Sequence, residues 1–263
     1  MNSVLYHYCV QRFPSREEMG RAAARQVRDL ICDLLRRKES IRMIFAAAPS
    51  QNEFLEALVK EPAIDFSRIT AFHMDEYVGL PKEAPQGFGN FLRDRLFSKA
   101  AFRQVHYING NAADIQAECE RYCALLRETP IDIVCLGIGE NGHIAFNDPH
   151  VADMKDPLGV KAVELDRVCR MQQVHDGCFE TLDKVPLRAL TLTVPTLMNA
   201  SHHICIVPAR SKAQAVHHTL YDAIGEQCPA TALRICRDAR IYVDMDSGSL
   251  LQRGAMDGEA QGA

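Results

Sequence analysis

Apolar and polar positions along this chain switch repeatedly between two rhythms, one of period near 3.6 and one of short continuous runs. Met19, Ala22, Ala23, Val27, Leu30, Ile31 and Leu34 recur at helical spacing behind Ser15-Arg16-Glu17-Glu18, a capping box. That helix is predicted to end near Lys38, before an apolar strand over Ile41–Ala46. A second capping box, Ser50-Gln51-Asn52-Glu53, opens a helix through about Val59. Further strands are predicted at Arg68–His73, Val105–Ile108 and Ile131–Leu136, with helices around Phe91–Phe97 and along Ile115, Cys119, Tyr122, Cys123 and Leu126. Beyond them come strands at Ala189–Val194 and His203–Val207, a helix over Lys212–Leu220, and a last strand at Ala239–Val243. Strand and helix alternate over the whole length, which predicts one α/β domain spanning 1–263. Its sheet is expected to be open, mostly parallel and Rossmann-like, with helices on both faces. Two stretches break the rhythm. Residues 150–185 are polar and weakly periodic, which reads as a lid or excursion. The glycine-bearing tail 247–263 reads as frayed.

Bulk composition narrows the function classes. A chain of 263 residues, 47% of them hydrophobic, can bury one large core. The net charge of −4 is spread with signs interspersed, so neither nucleic acid nor an anionic membrane surface is an expected partner. The ten cysteines are scattered and form no C-x-x-C pair. Cys119 and Cys123 share a helical face but lack neighbours to complete a zinc site, so the thiols read as buried and reduced, as in a cytoplasmic protein. The first residues lack the build of a signal peptide, and no apolar run approaches the roughly 20 residues that span a bilayer. Oligomeric state is not legible here; a homo-oligomer stays open.

Candidate chemistry sits after two of the strands. The run entered through Gly137-Ile138-Gly139-Glu140-Asn141-Gly142 delivers His143, then Asn147, Asp148 and Pro149, to the carboxyl edge of the sheet, where open α/β proteins bind ligands. Gly137-x-Gly139-x-x-Gly142 spells a dinucleotide fingerprint, but Asn147 and Pro149 interrupt the helix that such a site needs for its pyrophosphate. A histidine flanked by Asn141 and Asp148 is instead a ready proton shuttle. The second cluster, Met74-Asp75-Glu76-Tyr77, is acidic. It reads as a loop after the strand, whose carboxylates are solvated loop acids, a helix cap, or a base tuned by burial.

Phe72-His73-Met74-Asp75-Glu76-Tyr77-Val78-Gly79-Leu80-Pro81 and Gly137 through Pro149 together resemble the glucosamine-6-phosphate deaminase (isomerase) family. The likeness runs in register from about Ser15 to Val243. In the related 6-phosphogluconolactonases an arginine follows the Asp-Glu pair and the second motif runs toward Ser-Leu-Phe-Pro. This chain has Tyr77 and Phe146-Asn147-Asp148-Pro149 there, which favours the deaminase branch. The resemblance implies that Asp75 removes the C2 proton of an open-chain amino-sugar phosphate and returns a proton to C1. It implies that His143 moves a proton between O1 and O5 on ring opening, supported by Asn141 and Asp148. It implies a small-molecule amino-sugar phosphate as partner, with no metal and no organic cofactor. Lys212 matches the family's phosphate lysine, and Ala48, Ser50, Gly137 and Arg170 fall at or near its other substrate contacts.

Three departures accompany the resemblance. The family more often carries Asp at 141 and Glu at 148; an amide at 141 orients an imidazole but does not stabilise its cation as a carboxylate does. The family's Gly-Thr-rich phosphate loop is Ala46-Ala47-Ala48-Pro49-Ser50-Gln51 here, so the remaining anion donors are Ser50, the following helix N-terminus and Lys212. Near the expected phosphate arginine stand Arg170 and Gln173. Glucosamine-6-phosphate is the default substrate, with galactosamine-6-phosphate, a lactonase reaction and a non-catalytic sugar-phosphate sensor as alternatives.

Overall fold

A computed structural model describes residues 8–252. Strand β1 (Tyr8–Phe13) leads into helix α1 (Arg16–Leu35), whose N-cap Ser15 accepts from the Glu18 amide at 3.2 Å. The predicted apolar stripe of α1 is buried except for Ala22, which is half-buried, and the helix stops three residues before Lys38. Strand β2 (Ile41–Phe45) follows, fully buried. The second capping box is not formed. Pro49 fixes φ and starts a 3-10 turn over Pro49–Gln51, in which the Gln51 amide donates to Ala48 O, so Ser50 lies inside the turn rather than capping helix α2 (Asn52–Leu58).

Strands β3 (Ile69–His73) and β4 (Asp75–Tyr77) precede helix α3 (Phe88–Leu92), which is continued by a π-turn over Arg93–Phe97. Next come β5 (Gln104–His106), α4 (Ile115–Arg127) and β6 (Ile133–Leu136), then β7 (Val160–Glu164) and α5 (Arg167–His175). The chain closes with β8 (Arg188–Leu192), α6 (Val194–Met198), β9 (His202–Val207), α7 (Ala213–Tyr221) and β10 (Ala239–Asp244).

Seven strands form one sheet in the order β1-β10-β9-β6-β2-β3-β5, and every pair in it is parallel. Side chains of β2 alternate between the two sides: Met43 and Phe45 join a core with α1 and α2, while Ile44 joins one with α4, α6 and α7. The sheet therefore carries helices on both faces, as the strand–helix alternation predicts. No helix among the described residues is long and apolar enough to cross a membrane.

Three expectations need correction. Residues 75–77 are strand rather than loop: β4 pairs antiparallel with β8, which pairs with β7, making a second, three-stranded sheet. The stretch 150–185 is thus folded, with β7 built into that sheet and α5 packed against the cleft described below. Ser247 is buried and holds both ends of a turn with Asp244, so the tail is ordered there; 253–263 lie outside the described residues. Strand β1, at the sheet edge, lies outside the elements that the apolar pattern predicts.

Candidate active site

Strands β9, β6, β2 and β3 are neighbours, and the order of the chain reverses between β2 and β6: β3 and β5 extend to one side, whereas β6, β9 and β10 fill the other. Such a switch point leaves a crevice beyond the strand ends. The segments leaving these four strands, with α5, line a narrow cleft that includes Ala48, Ser50, Asp75, Gly137, His143 and Lys212. Six of the nine residues expected from sequence therefore meet in one place.

Around the imidazole the geometry is tightly closed. Gly139 lies so near His143 that a Cβ there would stand 2.1 Å from the ring, which requires glycine. Gly142 adopts φ +84°, turning the chain so that the histidine faces the cleft. Nδ1 of His143 lies 2.7 Å from Asn141 Oδ1 and 2.9 Å from Asp148 Oδ1, both acceptors, so Nδ1 carries the hydrogen. Nε2 then remains free, with no protein partner among the described residues. Asn141 Nδ2 in turn donates to Asp148 Oδ1 at 2.9 Å. Burial alone would raise the Asp148 carboxyl, but the bond and charge of His143, the Asn141 amide and the Asp166 N–H together hold it below its ordinary range. Asn147 pins the loop by donating to the Ile144 and Leu192 carbonyls.

Asp75 lines the same cleft from β4, 6% exposed. Burial, aided by the charge of Glu76, pushes its carboxyl well above the ordinary range. The two acids divide because successive strand residues point to opposite faces. Glu76 points away and accepts from the amides of Tyr77, Phe88 and Gly89, anchoring the start of α3 as the helix-cap reading supposed. A further residue braces Asp75: buried His73 takes a bond from the Ile108 amide at Nε2 and donates from Nδ1 to Asp75 O at 2.8 Å. Burial lowers its pKa to about 4, so it stays neutral and serves as a strut. His73 lies within the first motif, but its role depends on β5 and could not be read from spacing.

The far end of the cleft is different. Lys212 closes the 3-10 turn ahead of α7 and is 4% exposed, and its Nζ has no hydrogen-bond partner among the described residues. Burial lowers its pKa, opposed by Asp176, Glu140 and Cys169. Gln51, 1% exposed, donates from Nε2 to Ile206 O and Ser50 Oγ, which leaves Oε1 facing no donor. Arg170 is a correction. Its guanidinium donates to the Leu182 and Val185 carbonyls and is drawn to that flank of α5, away from the cleft that Gln172 and Gln173 line. Gln172 and Gln173 line the cleft instead, and Gln172 Oε1 accepts from the Glu140 amide at 2.8 Å. The buried i, i+3, i+4 set on α5 was the signal for them.

Among the described residues three sets of metal-type donor atoms lie within 4.8 Å of one another, and the one that includes the imidazole of the cleft is His143, Asp148 and Cys169. Nδ1 and the carboxylate are already committed to each other, and burial, reinforced by Asp148 and Asp166, holds the Cys169 thiol well above its ordinary pKa, hence protonated. The set fits an internal network better than a metal. A larger cavity of about 910 Å³ behind Glu76, bordered by Arg93 and Tyr107, holds none of the expected proton-handling residues apart from Glu76 itself.

The sequence model described as Glucosamine-6-phosphate isomerases/6-phosphogluconolactonase matches residues 14–242. The chain belongs to this family. A glucosamine-6-phosphate deaminase of Listeria innocua is 37% identical over 205 residues, which cover 78% of this chain and 86% of that one. The same-named protein of Bacillus thuringiensis is 33% identical over 232 residues, 88% of this chain and 86% of its own. Among solved structures, a monomeric glucosamine-6-phosphate deaminase matches with TM-score 0.84 at 30% identity, over 92% of this chain and 99% of that chain. A 6-phosphogluconolactonase of Trypanosoma brucei matches with TM-score 0.78 at 17% identity, over 94% and 100%, a likeness of fold alone. The family recognised from the two motifs is thereby upheld, and the open, mostly parallel α/β architecture with it.

Proposed function

We propose that the chain isomerises and deaminates an amino-sugar phosphate, converting glucosamine-6-phosphate and water to fructose-6-phosphate and ammonia. The observation that carries this reading is the pairing, across one cleft, of a buried carboxyl raised in pKa with an imidazole whose Nε2 is free. His143 Nε2 takes the O1 proton of the ring form and delivers it to O5, opening the ring. Its Nδ1–H stays on Asn141, which orients the ring, and on Asp148, whose carboxylate stabilises the transient cation. Ionised Asp75 then removes the C2 proton, and burial makes it a stronger base than an exposed aspartate. Electrons move from the C2–H bond to form the enolamine while O1 gains the proton that the substrate ammonium gives up, and the same carboxyl returns the C2 proton to C1. The C2 iminium that results adds water and expels ammonia, leaving the ketone. Lys212, the Ser50 hydroxyl and the Gln173 side-chain amide hold the phosphate end of the substrate.

Asp75, His143 and Lys212 line the cleft from one and the same chain. Alanines replace the glycines of the distal turn, and Gln172 and Gln173 stand where an arginine was expected to reach in. These departures bear on the phosphate end, and the galactosamine epimer, which carries the same phosphate and differs at C4, is the second reading. Ammonia and ketose phosphate should be measured with glucosamine-6-phosphate, galactosamine-6-phosphate, unphosphorylated glucosamine and 6-phosphogluconolactone. Ammonia from either phosphorylated amino sugar supports the reaction, and the better of the two names the substrate. Hydrolysis of the lactone alone would overturn it, and no turnover of any compound would favour a sensor.

A further inference from the structure

Asn141 presents one oxygen and one nitrogen, and their orientation decides which His143 nitrogen carries the proton. Oδ1 accepts from the His143 amide at 3.1 Å and from Nδ1 at 2.7 Å. Nδ2 lies between two carboxylates, 2.9 Å from Asp148 Oδ1 and 3.3 Å from Asp166 Oδ2. An inverted amide would set its oxygen against both anions. Asp166 comes from outside the histidine motif: it is the N-cap of α5, where its Oδ1 accepts from the Cys169 amide at 2.6 Å. Its own amide points at Asp148 Oδ2, 3.5 Å away.

We propose that Asp166 is a positioning residue that holds the Asn141 amide oxygen toward His143, keeping the hydrogen on Nδ1 and Nε2 free in the cleft. An aspartate at 141 would need no such partner, since both of its oxygens accept. An asparagine does, because only one of its two orientations serves the histidine. The helix cap of α5 thus also orients the proton shuttle. This inference rests on the reading of His143 as the ring-opening group.

Asp166→Asn is the informative variant. Asparagine caps helices about as well as aspartate, so α5 should persist and the melting temperature should stay near wild type. It can no longer offer an oxygen to both Cys169 and Asn141. Nitrogen-15 NMR of the histidine side chains should show His143 as the Nδ1–H tautomer in the wild type and a mixture in D166N. With ring-closed substrate kcat should fall about tenfold, the worth of one charge-assisted hydrogen bond, and far less with a substrate trapped open. Asn141→Asp alone crowds three carboxylates and should lose activity. The double variant N141D/D166N should regain part of it, because the amide introduced at 166 can donate to the carboxylate introduced at 141. An unchanged tautomer in D166N, or strictly additive losses in the double variant, would overturn the proposal. The tautomer is read without substrate, so a wild type that releases no ammonia would count against the proposed reaction and leave this test standing.

Discussion

The two ends of the cleft are built on opposite principles. Around His143, donors and acceptors are matched: Nδ1, Asn141, Asp148 and Asp166 form a closed set before any substrate arrives. Around Lys212 two buried polar atoms, Nζ and Gln51 Oε1, lack partners among the described residues. A matched set fixes geometry and tautomer, which proton transfer needs. An unmatched set costs stability, since buried polar groups without partners are destabilising, and that cost is returned only when a ligand supplies the partners. One end is preset for chemistry and the other is set for binding.

The comparison is broken most severely at Asp75. Asp75→Asn keeps the shape and removes the base, and kcat should fall by roughly 10²–10⁴ with KM little changed, measured by ammonia release. His143→Gln comes next. It should cost about 10² with the ring-closed sugar and distinctly less with a substrate held open; equal losses on both would end the division of labour between the two groups. Lys212→Ala should raise KM about tenfold while kcat changes less, the signature of a binding rather than a chemical contact. If kcat instead fell with KM unchanged, the two ends would not differ in the way argued.

The smallest effects are on stability and pH, and they run opposite to activity. The Asp75 carboxyl is raised in the folded state, so the stability linked to it is present at low pH and is lost as pH rises through that elevated value. Activity has the reverse sign, because the base must be ionised: kcat/KM should drop as pH falls through the same value. Asp75→Asn should therefore raise the melting temperature at neutral pH, by roughly 2–4 °C for each kcal/mol relieved, and remove that acid limb from the residual rate. Lys212→Met should also raise the melting temperature while weakening binding. A lower melting temperature in both variants would show that these groups are not held at a cost.

What was legible in the sequence divides along similar lines. Features decided locally were readable: the Ser15 cap and stripe of α1, the apolar runs of β2, β3, β6 and β9, and the glycines that present His143. Features decided by distant partners were not. Three residues are too short a run to declare β4 a strand; β8 makes it one by pairing Asp75 with Thr191. Arg170 and Gln173 are three apart on α5, and only the packing of that helix decides which reaches the cleft. Pro49 overrode an apparent capping box by starting its own turn. Asp166, His73 and Gln51 act across elements, so no spacing announces them.

The central claim is that Asp75 is the base that exchanges the C2 proton of an amino-sugar phosphate. The most direct measurement is to run the reaction in deuterium oxide with glucosamine-6-phosphate and follow deuterium at C2 of the recovered substrate and at C1 of the ketose product, in wild type and Asp75→Asn. Deuterium is expected at both carbons in the wild type and at neither in the variant. Deuterium still entering C2 at the wild-type rate without the Asp75 carboxylate would contradict the claim.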